Sequence, residues 1–336
     1  METTEFRDLH AHYLAPATIA RIRAGDFAPA VSVSDEESGP RFTFPTGTSR
    51  TMQPAMADLD DRLRHLDECG IDVQVLSTWI DMFGYDLPEE LAADFHRSIN
   101  EGMAEAISSR PDRFGFFASV PLPWGDAAAD VLEDAVTRLG AVGSMIGTNI
   151  NGRYLDDERL TPFWRASERL DAPVELHPVN VAAVDRLHTH EFANFLGNPF
   201  DTTIAAGSLI FGGVLDRHPA LRFVLVHGGG YLPYAVGRLS HGRTARGVAP
   251  DLLRRPDEYL DRFFFDTVVY SPAVLSALAS IVGVSRLVLG TDYPFDMEPP
   301  AVRSMVAETL GEDALASIAG TARSLSCRLE YVEPHR

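Results

Sequence analysis

Eight short, strongly apolar runs recur along this chain, and stretches of helical periodicity separate them. They are "RDLHAHYL" from Arg7, "VQVLST" from Val73, "RFGFFASV" from Arg113, "GSMIGTNI" from Gly143, "PVELHP" from Pro173, "LRFVLVHG" from Leu221, "RFFFDTVV" from Arg262 and "RLVLGTDY" from Arg286. Strands that are almost wholly apolar must be buried on both faces, the situation of parallel strands covered by helices. Segments such as "PEELAADFHRSINEGMAEAISSR" and "AAADVLEDAVTRLG" are long and amphipathic enough to be the crossover helices between them. Eight βα units is the number that closes a (β/α)8 TIM barrel, and 336 residues suits such a domain with insertions. The expected fold is therefore α/β, one barrel domain over residues 1–336. An open doubly wound sheet is the competitor, but no Gly-rich turn follows the first run to cradle a dinucleotide. Residues 25–54, rich in Pro, Ser, Thr and Gly, are too long for an ordinary βα connection. They predict an inserted loop or small subdomain after the first strand.

Charge and composition remove several functions. A formal net charge of −19 argues against nucleic acid as a partner, because that affinity rests on clustered Lys and Arg releasing counterions. No apolar run approaches a membrane span, and "METTEFRDLH" lacks the basic and apolar regions of a secretory signal, so a cytoplasmic protein is expected. With only Cys69 and Cys327, neither a disulfide framework nor a thiolate zinc site is available, and any metal must use imidazole and carboxylate.

A barrel of this kind carries its chemistry at the C-terminal ends of its strands. Four of the runs end on reactive groups: the first carries His10 and His12, the fifth His177, the sixth His227 and the eighth Asp292. Residues i and i+2 of a strand share a face, so His10 and His12 can both point into the barrel. With His177 and Asp292 they form a nitrogen and oxygen cage that suits Zn²⁺ and is compatible with Mn²⁺ or Fe²⁺. Each residue alone also has an ordinary structural use: a half-exposed imidazole pair, a strand-end cap at His177, a turn aspartate at Asp292. Their joint placement at separate strand ends favours the metal. A second H-x-H, His188 and His190, lies in a loop or helix start, where i and i+2 do not share a face. Trp79, at the end of the second strand, is placed to stack on an aromatic or conjugated ring, or to pack under the loop. Phe192, Phe195 and Phe200 point to a pocket wall, a subunit contact or a helix core.

The motifs "DLHAHYLAP", "DRLRHLDECGIDVQVLST", "TTIAAGSLIFGGVLDRHPALRFVLVHGGGYLPYAVGRLSHG" and "RLVLGTDYPF" resemble the metal-dependent decarboxylase branch of the amidohydrolase superfamily. The resemblance runs through most of the chain. It implies a cofactor-free carboxy-lyase holding a divalent metal, zinc first and manganese next, that acts on an aromatic or conjugated unsaturated carboxylic acid. It implies His10, His12, His177 and Asp292 as ligands and His227, in "VHGGG", as the general acid/base beside a metal-activated water. Arg238, in "AVGRLSHG", matches an arginine that reaches the neighbouring subunit's site in a homodimer and binds a substrate carboxylate. Arg50 falls at the spacing of the branch's other carboxylate-binding arginine, and Phe295 of "TDYPF" belongs with the expected substrate contacts. Two departures bear on the substrate: "PVNVAAVD" follows His177 where the type enzyme has Trp and Asp, and Asp296, Met297 and Glu298 replace a Pro-Leu-Gly run. Related branches use the same metal chemistry for hydrolysis or hydration, which is the alternative reaction class. No serine nucleophile elbow G-x-S-x-G accompanies "HGGG", which argues against an esterase.

Overall fold

The computed structural model describes residues 4–331. Eight parallel strands follow one another around one sheet in chain order. They are β1 (Arg7–Tyr13), β2 (Val73–Thr78), β3 (Phe114–Ser119), β4 (Gly143–Gly147), β5 (Val174–His177), β6 (Phe223–Leu225), β7 (Phe263–Asp266) and β8 (Leu287–Val288). Every residue of β1 to β6 is buried, as strands lying between a filled interior and a coat of helices must be.

β8 is regular for only two residues, yet the chain beyond it closes the sheet. Leu9 N–H donates to the Leu289 carbonyl at 3.0 Å and His12 N–H to the Tyr293 carbonyl at 2.7 Å. Parallel bridges pair Asp8 with Leu289 and Ala11 with Tyr293. The fold is a (β/α)8 TIM barrel. The buried Asp8 carboxylate clasps the seam, accepting from His10 N (3.0 Å), Thr291 N (3.2 Å), Thr291 Oγ1 (2.6 Å) and Gln74 Nε2 (2.6 Å). Burial pushes its pKa up, and those donors pull against the rise.

Local sequence explains the helix that supports the seam, Leu59–Cys69. Asp58 caps it by accepting from Asp61 N at 2.9 Å, Asp60 and Asp61 complement the positive helix end, and Gly70 ends it at φ 66°. Its inward face buries Leu66 and, unusually, Arg62. The Arg62 guanidinium donates to the His12 carbonyl at 2.5 Å and to Gln74 Oε1 at 2.8 Å, and lies over the rings of Tyr13 and Tyr293. It thus joins residues adjoining β1 and the eighth strand end.

Residues 25–54 carry a three-stranded antiparallel sheet, Ser32–Glu36, Gly39–Phe44 and Gly47–Thr48. It rests on a second, smaller core in which Phe27 meets Phe95 edge-on at 5.2 Å and Phe42 meets Trp79 at 6.2 Å. Among the described residues no helix is long and apolar enough to cross a membrane.

His65, on the same capped helix, stacks on Tyr293 at 4.3 Å, and its Nε2 lies 2.6 Å from Glu298 Oε1. That hydrogen bond raises the imidazole pKa, against partial burial. A raised folded pKa stabilises fully below the unfolded value of about 6.5 and is lost as pH rises through the folded value. Replacing Glu298 by Gln should therefore lower stability by about 1 kcal/mol near pH 6, with the difference shrinking as pH rises through the raised folded value, as thermal or urea unfolding will read.

Candidate metal centre

The ends of β1, β5, β6 and β8 bring four histidines and a carboxylate to one point. Ligand-type atoms of His10, His177, His227 and Asp292 all lie within 4.8 Å of one another. Asp292 Oδ1 is 3.3 Å from His10 Nε2 and 3.2 Å from His12 Nε2, while its Oδ2 is 3.5 Å from His227 Nε2. His10 and His12 are fully buried, and His177 and Asp292 nearly so, whereas the His227 side chain keeps 13% of its surface open.

The hydrogen bonds sort the imidazoles into two kinds. His10 Nδ1 pairs with Asp266 Oδ2 at 2.7 Å, His12 Nδ1 with the Thr78 carbonyl at 3.2 Å, and His177 Nδ1 with the Pro178 carbonyl at 3.0 Å. Each contact fixes the ring and leaves Nε2 facing the centre, and none of these three Nε2 atoms, nor Asp292 Oδ1, has a hydrogen-bond partner. Four unpartnered buried polar atoms at one point are expensive unless something binds them. The 3.2–3.3 Å spacing of Asp292 Oδ1 from the Nε2 atoms of His10 and His12 is that of ligands about 2.1 Å from one divalent ion, which stand roughly 3–3.4 Å apart. The donor set and its orientation therefore fit a divalent metal. His227 differs: its Nδ1 is the nitrogen without a partner, and its Nε2 faces the other carboxylate oxygen.

Burial and mutual proximity set the charge of these groups in opposite directions. Burial disfavours a charged His10, but Asp292 and Asp266 outweigh it and hold its pKa well above the ordinary value. Burial and then the neighbouring imidazoles push His177 well below it, and burial lowers His12. Burial would raise Asp292, yet His10 and the other imidazoles drive it well below the carboxylate range. Both His227 and Asp292 sit at positive φ, 54° and 62°. Side chains at such angles carry about 1–3 kcal/mol of strain each and concentrate at functional sites. Gly230, after His227, is at φ 62°, and a Cβ there would lie 2.1 Å from the Pro199 carbonyl oxygen, so the backbone turns where only glycine fits.

The amidohydrolase family pattern matches residues 8–323. The chain belongs to the amidohydrolase family. It is 36% identical to 2-amino-3-carboxymuconate-6-semialdehyde decarboxylase of Dictyostelium discoideum, over 71% of this chain and 67% of that protein. It is 34% identical to gamma-resorcylate decarboxylase of Rhodococcus jostii, over 73% of this chain and 80% of that protein. A Polaromonas dihydroxybenzoic acid decarboxylase, solved with manganese and 2-nitroresorcinol, superposes with a TM-score of 0.79 at 25% identity, covering 97% of each chain.

The other expected residues of this amidohydrolase fall at different distances from the centre. The Phe295 ring is 5.0 Å from that of His12, and the Arg50 guanidinium lies 5.1 Å above Phe295. Trp79 is 1% exposed and packed edge-on against Phe42, so its ring belongs to the small core and offers no open stacking face. Arg238 is exposed on the helix Leu232–Arg246. His188 and His190 are exposed in a turn.

Sequence reasoning missed Asp266. It ends β7, holds His10 Nδ1, and with Oδ1 accepts from Gly228 N at 2.7 Å and Val268 N at 3.1 Å, tying His10 to the loop of His227. The strand-end rule that selected Asp292 also applies to "RFFFDTVV", so the signal was there. Replacing Asp266 by Ala should weaken metal affinity about 10–100-fold, measured by titration against a metal-buffered chelator. Unchanged affinity would remove its orienting role.

Proposed function

We propose that this amidohydrolase is a metal-dependent, non-redox decarboxylase of an aromatic or conjugated unsaturated carboxylic acid, with His10, His12, His177 and Asp292 as ligands and His227 as the acid/base. The observation that carries it is the split among the imidazoles: three with Nδ1 tied and Nε2 bare, one with a buried, unpartnered Nδ1 on a side chain that is partly open. The decarboxylases among its relatives support the reaction class.

Decarboxylation replaces a C–CO₂⁻ bond by a C–H bond. The electron pair of the broken bond stays on carbon, CO₂ departs, and one proton must arrive. A divalent ion at the four ligands supplies Lewis acidity toward negative charge on a substrate oxygen. Its donor set suits Zn²⁺, and the manganese in the Polaromonas relative makes Mn²⁺ equally compatible. The proton is assigned to His227, whose Nε2 lies 3.5 Å from Asp292 Oδ2 and whose side chain stays partly open at the rim. The closely packed glycine turn fixes that ring at the rim. Phe295 and Arg50 form the wall over His12, where an acid would lie.

A homodimer completes this reading. Tyr234 is 91% exposed and stands four residues before Arg238 on one helix face, with Phe195, Leu196 and Phe200 exposed on a preceding segment. Burying these side chains against a second copy would let Arg238 reach the partner's substrate. Residues 1–336 then act as one cytoplasmic barrel domain, with residues 25–54 as its cap.

A panel of phenolic and conjugated acids, followed by CO₂ release and mass spectrometry, tests the function. The expected product is lighter by one CO₂; a product heavier by one water would make the enzyme a hydratase or hydrolase. His227→Asn should keep its metal and lose at least ~1,000-fold in kcat. Equal loss of metal in that variant would cancel the separation of ligand from acid/base. Mixing Arg238→Ala with His227→Asn chains should restore part of the activity, and no restoration would refute the shared site.

A further inference from the structure

We infer that Asp81 sets the charge selectivity of the substrate cavity, so that the enzyme takes acids with one carboxylate, their other substituents being neutral hydrogen-bonding groups. The inference rests on the proposed function for the cavity's role. A cavity of about 550 Å³ opens beside Pro178, the residue after His177, between the cap and the barrel rim. Its charged lining is one cation, Arg50, and three carboxylates, Asp81, Asp86 and Glu191.

Arg50 is already matched. Asp81 Oδ2 accepts from Arg50 N at 2.6 Å and Oδ1 from Nη2 at 2.8 Å, with Nε 3.3 Å from both oxygens. A lone guanidinium over Phe295 would attract a second carboxylate by bidentate pairing. Paired with Asp81, it leaves no net charge. What is left in the wall is Asp86, which holds Thr46, and Glu191, both negative. The chain's net charge of −19 adds to the same sign. One substrate carboxylate is taken up at the metal centre and, in the proposed dimer, by Arg238 of a second copy; a further carboxylate against this wall would meet an unfavourable potential. The neutral lining, including Asn180, Asn194 and Asn198, offers amide donors and acceptors that suit hydroxyl substituents.

Asp81 also tethers the cap, since Arg50 lies just past the last strand of the small sheet, Gly47–Thr48, and Asp81 lies in the turn Ile80–Met82 after β2. Asn keeps an acceptor for the Arg50 N–H and removes the charge, whereas Ala removes both, so the two variants separate tether from charge. The probes are salicylate and 4-hydroxyisophthalate, bound to the metal-loaded His227→Asn chain and followed by calorimetry. The ratio of their affinities cancels effects common to both and reports the potential felt by the second carboxylate.

Salicylate should bind at least tenfold more tightly, and adding Asp81→Asn should raise the dianion-to-monoanion ratio about tenfold, less at high salt. A dianion bound as tightly as salicylate, a ratio unchanged in Asp81→Asn, or a shift seen only in Asp81→Ala would overturn the assignment. Failure of both probes to bind would do so too. These bindings do not depend on turnover, so absence of CO₂ release from wild-type enzyme would defeat the decarboxylase reading while leaving the charge preference in place.

Discussion

Asp8 accepts four hydrogen bonds, two of them from Thr291 across the seam where the last strand meets the first, and the centre exists only because that seam closes. His10 and His12 stand on β1, and Asp292 follows β8, at opposite ends of the chain. Pairing of His12 N–H with the Tyr293 carbonyl brings them to 3.2–3.3 Å. Arg62 braces the same junction from outside, bonded to the His12 carbonyl and stacked on Tyr293. A parallel barrel has no free edge, so its register is fixed all the way around, and ligand positions inherit that rigidity.

The chemistry depends on what each imidazole's second nitrogen is doing. A carboxylate or carbonyl on Nδ1 orients His10, His12 and His177 with Nε2 toward the centre, while His227 carries no partner on Nδ1. Strain at His227 and Asp292 belongs to the same design. Both leave their strands in the left-handed region, which turns their side chains toward the interior, and the surrounding packing holds them there. Asp266 joins the two classes, touching His10 with one oxygen and the His227 loop with the other.

The cap adds a property that the barrel alone lacks. It delivers Arg50 to the mouth, and the rim answers with Asp81, so the residue that looks most like an anion receptor arrives neutralised. Charge at the mouth is therefore a property of a pair formed between two distant segments. The relatives include enzymes of both resorcylate and carboxymuconate semialdehyde, so such a pair is a place where one scaffold can change its substrate.

By itself the sequence determined the number and burial of the strands, hence the barrel, and through the strand-end rule it located His10, His12, His177, His227 and Asp292. Those are local signals: apolar runs of strand length, and polar residues at their ends. Only the tertiary structure decided that Asp266 orients His10, that Trp79 packs on Phe42 inside the small core, and that Arg50 is paired with Asp81. These are contacts between residues 31 to 256 positions apart. Nothing in the spacing of two such residues encodes which side chain meets which; that choice is made when the barrel closes and the cap docks.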